Sequence, residues 1–222
     1  MKFVYPDIGY VFDFEKSPVY SLIIENQRML LELMTDIQNQ LQGLEGKSVL
    51  SENGKQIAIE KYAEFLSQFC PFSINQKSLL NKVTAVLAKT AVNKEYYLKT
   101  MQFLGQLEQY LMEIAFQLKG DIVFQKVTAD ALVKAVGVEF RDEYDSLAEK
   151  VIDYFELVTE LDRKKLFILY NLRSLLDDEE TIVFIDTVIK QGYNVLMIES
   201  SEHTLLPGER RYIVDSALCE IG

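Results

Sequence analysis

Two apolar runs in the last third of the chain predict buried β-strands. Residues 166–170 and 195–198 are not interrupted by polar residues, a pattern typical of strands covered on both faces of a sheet. The segment between them has helical periodicity, begins with four acidic residues at 177–180, and is followed by Gly192. Acids in the first turn and a glycine after the last are signals of a capped helix. The pattern therefore predicts a β-α-β unit with parallel strands, and hence an α/β fold.

The amino-terminal third of the chain predicts further strands of the same core. Residues 2–5 and 10–14 form short apolar runs, and a longer run at 19–24 leads into a helix that begins after Asn26. Residues 48–60 predict a hairpin, because Asn53-Gly54 is a strong turn signal between two apolar segments. Residues 62–72 fit a helix or a strand equally well.

The middle of the chain has a helical pattern instead. Helical periodicity begins at residue 75, and from Tyr97 to Leu118 an apolar residue recurs every seven positions, which predicts a long helix with a coiled-coil-like seam. A strand-like segment at 121–127, a short helix at 128–136 and a last long helix at 144–158 follow. The sequence thus predicts a discontinuous α/β head, residues 1–74 and 158–222, and an inserted helical leg, residues 75–157.

Composition and termini indicate a soluble cytoplasmic protein. The chain has 222 residues, and its two cysteines, Cys70 and Cys219, are too few for a disulfide framework and lack metal-binding spacing. We interpret both as core residues. No basic leader opens the sequence, and no apolar run is long enough to span a membrane.

The net charge of -11 is unevenly distributed along the chain. Residues 77–126 carry seven lysines and four acids, a balance of +3, so the remainder carries -14. A cationic segment in an acidic chain fits either a phosphate-binding surface or an ordinary solvated helix face.

The first strand-to-helix turn lacks the chemistry of a nucleotide-binding loop. Such a loop needs glycines and a Lys-Ser/Thr pair, whereas this turn has no glycine and begins with Glu25, which would repel phosphate. A fragment of the motif occurs at Gly46-Lys47-Ser48, but a strand pattern follows it instead of a helix. We therefore predict no catalytic residues, with a nucleotide hydrolase that uses this unusual loop as the alternative.

Two further groups of residues carry side chains capable of catalysis or metal binding. His203, the only histidine, lies in a polar loop without a nucleophile elbow, which indicates a surface residue. Asp121 and the acidic segment 139–145 contain oxygen ligands that suit calcium, without the spacing of an EF-hand. An acidic helix N-terminus, favoured by the helix dipole, is the ordinary explanation of the acidic segment. The candidate metal ligands are Asp121, Glu139, Asp142 and Asp145.

Several soft motifs together resemble a known family. They are the glycine-free first turn, the long helical insertion, Val136-Gly137-Val138, and the segments 163–171 and 193–199, which read RKKLFILYN and YNVLMIE. In this layout the chain resembles the Csn-two family of type II-A CRISPR systems.

The resemblance implies a P-loop-ATPase-like head that has lost its nucleotide site, together with a helical leg. It also implies a homotetrameric ring that binds the ends of linear double-stranded DNA during spacer acquisition, with calcium supporting assembly and with other CRISPR adaptation and effector proteins as partners. Two sets of lysines remain open as the DNA-binding surface: Lys82, Lys89, Lys94 and Lys99 of the leg, or Lys55, Lys61, Lys164 and Lys165 of the head. A helical scaffold that assembles through the 97–118 seam without binding DNA is the remaining alternative.

Overall fold

The computed structural model describes residues 1–222 and shows a mixed α/β protein with two β-sheets and seven α-helices. The chain divides into two compact units. Met1–Phe72 together with Glu143–Gly222 form the first, which we call the sheet unit, and Ser73–Asp142 form the second, the helical unit.

All ten strands lie in the sheet unit. The four strands β1 (Lys2–Val4), β2 (Val11–Asp13), β4 (Val49–Glu52) and β5 (Lys55–Ile57) form a small antiparallel sheet in the order β2-β1-β4-β5. The large sheet has the order β10-β9-β3-β8-β7-β6. Its strands are β3 (Val19–Ile24), β6 (Ala63–Leu66), β7 (Leu166–Tyr170), β8 (Asn194–Glu199), β9 (Arg210–Val214) and β10 (Glu220–Ile221). Five of them run parallel, and β10 alone is antiparallel.

The helices of the sheet unit are α1 (Gln27–Leu41), the short α2 (Ile59–Tyr62), α6 (Leu147–Asp162) and α7 (Asp178–Gln191), with a 3-10 helix at Leu172–Ser174. The large sheet has both faces buried. On one face, Tyr20 and Leu22 of β3 belong to the same core cluster as Phe12 of the small sheet and Leu33 of α1. On the other, Phe167 of β7 stacks on Phe155 of α6 with ring centroids 3.8 Å apart.

The predicted β-α-β unit is confirmed. Strands β7 and β8 are adjacent and parallel, and α7 connects them. Asp177 caps α7 through a capping box with Glu180, and Gly192 ends it in the left-handed conformation with φ of 76°. The Asn53-Gly54 hairpin is also confirmed, with both turn residues at positive φ. The undecided segment 62–72 contains an edge strand, β6, which pairs with β7.

The helical unit contains α3 (Lys77–Ala91), α4 (Tyr97–Ala115) and α5 (Ala129–Val136). The side chain of Thr128 caps α5, and Gly137 follows it at φ of 83°. Residues 121–127, which the sequence analysis interpreted as strand-like, are irregular and largely exposed. This unit has no strand with which they could pair, so their apolar pattern does not produce a strand.

Helix α6 lies in the sheet unit, whereas the sequence analysis placed most of it in the helical leg. The boundary expected at residue 158 falls inside α6, whereas the sheet unit resumes at Glu143. The buried face of α6 includes Val151, Tyr154 and Phe155 and covers the large sheet, so the whole helix belongs to that core. The interpretation of the cysteines was wrong, since Cys70 and Cys219 are both exposed.

Candidate nucleic-acid interface

Four of the eight candidate lysines lie in the helical unit. Lys82 and Lys89 are two turns apart on α3, Lys94 lies in the turn that follows, and Lys99 is in the first turn of α4. All four side chains are exposed. Lys89, Lys94 and Lys99 form no ion pair within the chain, so their charges are available to an external anion. These three residues are called the α3–α4 lysines below.

The four candidates of the sheet unit fall into two classes. Lys55 and Lys61 are exposed. Lys164 is not available, because its Nζ donates to the carbonyl oxygens of Glu60 and Ala63 at 2.7 Å each and its side chain is 11% exposed.

Lys165 has partners within the chain as well. Its Nζ lies 2.8 Å from both carboxylate oxygens of Glu52 and 5.2 Å from the centroid of the Tyr62 ring. The two lysines therefore secure the start of β7, which gives them a structural explanation that does not involve DNA.

The four acids considered as calcium ligands do not form a site within the chain. Asp121 and Glu139 are exposed and lie in irregular segments. Asp142 accepts a hydrogen bond from Ser73 Oγ at 2.8 Å, and Asp145 directs its backbone N–H toward the Glu149 carboxylate at 3.3 Å. Nowhere in the chain do three or more His, Cys, Asp or Glu side chains form a group that could hold a metal ion. A calcium site made of one chain's residues does not fit this arrangement.

The first strand-to-helix turn is closed by the protein's own groups. Asn26 caps α1 by accepting the backbone N–H of Met29, and its side-chain amide donates to the carbonyl oxygen of Ser216. The Glu25 N–H donates to the carbonyl oxygen of Val214. The turn thus offers a carboxylate and no glycine where a nucleotide-binding loop would present free N–H groups.

The backbone of the Gly46-Lys47-Ser48 fragment is hydrogen-bonded to a carboxylate of the protein itself. The carboxylate of Asp36 in α1 accepts the backbone N–H groups of Lys47 and Ser48, at 2.5 and 2.9 Å. Burial raises the pKa of Asp36, but hydrogen bonds from Ser48, Lys47 and Gln40 outweigh burial and hold this pKa below its ordinary value. Lys47 Nζ is paired with Asp7 at 2.5 Å. The groups that would hold a phosphate are therefore already bound to carboxylates, and strand β4 follows instead of a helix.

A buried charge cluster lies beside the carboxyl end of β8. It consists of Arg173, Glu199 and Glu209, all buried. Arg173 Nη1 lies 3.2 Å from Glu209 Oε1, and the Arg173 backbone N–H donates to Glu199 Oε1 at 3.2 Å. Ser21 Oγ of β3 donates to Glu209. The sequence did not reveal this cluster. An acid that follows an apolar run and an arginine shortly after Asn171 are also what ordinary surface residues at strand ends look like.

His203 lies against this cluster and is only partly a surface residue. Its Nε2 is buried, has no hydrogen-bond partner, and lies 3.7 Å from Glu199 Oε2, which is likewise buried without a partner. Burial raises the pKa of Glu199 from 4.5 to about 7, with Arg173 opposing and Glu209 adding to the effect. Burial and the charge of Arg173 lower the pKa of His203, against the opposing effect of Asp178 and Glu209. Burial thus disfavours the charged form of both groups.

The helical unit exposes an apolar surface along α4. Leu104 is the only residue of the predicted seam that is buried, while Tyr97, Ile114 and Leu118 are exposed. A groove of about 660 Å³ on the same unit is lined mainly by apolar side chains, among them Leu87 and Phe103. Apolar surface of this kind is typical of sites that another protein surface covers.

The chain was compared with known proteins. The family model described as CRISPR-associated protein (Cas_Csn2) matches residues 40–218, most of the chain. The comparison with curated proteins gives no significant match. No helix combines the length and the apolar character required to cross a membrane.

Proposed function

Because the chain belongs to the Cas_Csn2 family of CRISPR-associated proteins, we propose that it binds the ends of linear double-stranded DNA during spacer acquisition. It does so without reading base sequence and without catalysing a reaction. The assembly that binds DNA is a homotetrameric ring, and the sheet and helical units are its P-loop-ATPase-like head and its leg. Its partners are the other CRISPR adaptation and effector proteins.

The observation that carries the DNA-binding proposal is the state of the α3–α4 lysines. They are exposed and unpaired in a chain whose net charge is -11, whereas Lys164 and Lys165 have partners of their own. Phosphates attract cationic side chains without regard to sequence. An acidic chain with one lysine-rich surface would bind duplex at that surface and repel it elsewhere.

The absence of catalysis is inferred from the two turns that could have bound a nucleotide. One begins with Glu25 and lacks glycine, and the other has its N–H groups bound by Asp36. Neither offers the free N–H groups that a triphosphate needs. This supports a head that keeps the α/β architecture of a nucleotide-binding protein without its nucleotide site.

Assembly into a ring is supported by the exposed apolar surface of α4. Tyr97 and Ile114 of α4 are 49% and 44% exposed, and Leu118 just beyond the helix is 62% exposed, so a second copy of the chain could cover their apolar surface. The candidate acids do not meet within one chain. Calcium that supports assembly would therefore have to draw ligands from more than one subunit.

The test is a gel-shift experiment with linear and closed circular duplex of the same sequence, with and without calcium, over a range of salt concentrations. We expect retardation of the linear form, with affinity that falls steeply as salt rises. Light scattering should give about four times the chain mass of 25.6 kDa. Failure to bind linear duplex at low salt would refute the proposal, and a tetramer that ignores DNA would support the scaffold alternative.

A charge-reversal variant tests the lysines themselves. Replacement of Lys89, Lys94 and Lys99 by Glu should lower the slope of log affinity against log salt by about three, one for each lost phosphate contact. Lys134→Glu is the matched control, because Lys134 is exposed in the same unit but paired with Asp130 at 2.7 Å. If the triple variant binds like the wild type and a Lys55, Lys61 double variant does not, the surface lies on the sheet unit.

A further inference from the structure

The connection between β8 and β9, residues 200–208, covers the buried charge cluster, and we call it the strap. Its two ends are fixed by hydrogen bonds, since the Ser200 N–H donates to Asn171 Oδ1 at 2.9 Å and the Leu206 N–H donates to Glu209 Oε1 at 2.8 Å. In its middle, the carbonyl oxygen of Thr204 accepts from Arg173 Nη1 at 2.8 Å. Arg173 and Glu209 of the buried cluster thus hold the strap, together with Arg211, whose Nη1 donates to the His203 carbonyl oxygen at 2.9 Å.

The net charge of Arg173, Glu209, Glu199 and His203 is zero only when Glu199 and His203 together carry one proton. Arg173 contributes one positive charge and Glu209 one negative charge, and the two are paired at 3.2 Å. Glu199 and His203 together are neutral when they carry one proton, negative when they carry none, and positive when both are protonated. A buried charge without a partner is costly, so either departure from one proton destabilises the buried arrangement.

We propose that the strap is a proton-controlled closure, which stays shut over the sheet while Glu199 carries a proton and opens when Glu199 loses it. The device lies in the sheet unit and involves none of the lysines assigned to DNA. It therefore goes beyond the proposed function and does not depend on it. Opening would expose the carboxyl end of β8.

The alkaline limit of closure is set by Glu199. Its side chain is 1% exposed, and burial raises its pKa from 4.5 to about 7, so the closed form binds the proton more tightly than an open strap does. Closure is therefore favoured at low pH and weakens as the pH rises through 7. If the open strap restores the pKa of 4.5, this contribution alone lowers the closing constant about tenfold between pH 6 and pH 8.

His203 opposes this control. Burial and Arg173 lower its pKa below 6.5, so the open strap binds this proton more tightly than the closed one. Its contribution to closure is present above pH 6.5 and is lost as the pH falls through the lowered pKa. Between pH 6.5 and pH 4.5 the contribution of Glu199 grows as the pH falls, while that of His203 shrinks.

No other charged group near Glu199 accounts for the pH dependence of closure. The charged or titratable groups that face Glu199 are Arg173 of the 3-10 helix, Glu209 before β9 and His203 of the strap, with Asp178 of α7 on the far side of Arg173 at 3.1 Å. Asp178 is 57% exposed, so water screens its charge. The strap's other charged residue, Glu202, is 52% exposed and pairs at 3.0 Å with Arg211 of β9, whose Nη1 also donates to the His203 carbonyl oxygen at 2.9 Å.

The test measures hydrogen exchange of the strap amides against pH in the full chain, as protection factors corrected for the intrinsic pH dependence of exchange. The Leu206 amide should lose protection between pH 6 and pH 8, by less than the tenfold expected of Glu199 alone because His203 opposes it in this range, while β8 amides change little. Because His203 is the only histidine, its imidazole NMR signals report its own titration without ambiguity. Constant Leu206 protection from pH 5 to pH 8 would overturn the proposal.

Two substitutions distinguish Glu199 from the other acid of the strap as the controlling group. Glu199→Gln has the shape of the protonated acid and cannot lose a proton, so the loss of protection between pH 6 and pH 8 should disappear. Glu202→Gln, on the same strap but exposed, should keep it. If Glu199→Gln keeps the alkaline loss or Glu202→Gln removes it, Glu199 is not the controlling group. If Glu199→Gln does not fold, the wild-type pH series still decides the proposal.

Discussion

Phe155→Ala should destabilise the sheet unit strongly, because Phe155 joins α6 to the large sheet. Its ring is fully buried, lies 3.8 Å from the Phe167 ring with the planes inclined by 14°, and meets the Tyr193 ring edge-on at 5.6 Å. Replacing a buried phenylalanine by alanine removes these contacts and leaves a cavity, which costs about 3–5 kcal/mol of the free energy of unfolding. For a chain of this size, that loss lowers Tm by roughly 6–20 °C.

The assay is thermal unfolding by circular dichroism, combined with hydrogen exchange of the β7 amides. Glu156→Ala is the control, since Glu156 is the next residue of α6 and is exposed, and its stability should stay within about 0.5 kcal/mol of the wild type. If Phe155→Ala melts within 2 °C of the wild type with unchanged β7 protection, α6 does not belong to the sheet core. The boundary expected near residue 158 would then be the better description.

Two further substitutions test other parts of the sheet unit. Leu33→Ala should lower the free energy of unfolding in urea by about 2–5 kcal/mol, because Leu33 is fully buried. Leu31→Ala, on the same helix but 67% exposed, should lower it by less than about 0.5 kcal/mol. Equal effects would contradict the assigned buried face of α1. Asp36→Ala should cost about 2–4 kcal/mol at pH 7, because it leaves the N–H groups of Lys47 and Ser48 without their acceptor. Since hydrogen bonds hold the pKa of Asp36 below 3.8, its contribution is present above pH 3.8 and fades as the pH falls through the lowered pKa, so the difference from wild type should narrow in acid.

The parts of the fold that sequence predicted well are those in which local signals and burial agree. The β7–α7–β8 unit combines unbroken apolar strands with an acidic cap and Gly192, and each of these signals has the expected structural role. The hairpin at Asn53-Gly54 is equally local, because the turn residues alone determine its geometry.

The errors arise where long-range packing decides the outcome. The apolar pattern of α6 is that of any amphipathic helix, and sequence cannot show that its buried face meets Phe167 instead of the seam of α4. The apolar residues of 121–127 suggested a strand, but a strand needs a neighbour, and the helical unit has none.

The candidate sites divide in the same way. The sequence predicted which lysines could bind DNA, but it could not separate exposed lysines from bound ones. Lys164 looks like the others in the sequence, yet its Nζ donates to two backbone carbonyl oxygens. Glu199, His203 and Glu209 lie within one short stretch of the chain, but Arg173 is 26 residues from Glu199, so only the tertiary fold brings Arg173 to them. Their chemistry was therefore beyond the reach of motif analysis.

The position of β3 in the large sheet constrains the order in which the chain can fold. Its two neighbours are β8 and β9, so Val19 lies opposite Val195 and Tyr20 opposite Arg210, at the other end of the chain. During synthesis, β3 must wait with both edges unpaired until nearly the whole protein has left the ribosome, while the helical unit, which is continuous in sequence, has all its residues much earlier. The sheet unit is thus the part that depends on a complete chain, and truncation before β9 would leave an apolar parallel edge open to aggregation.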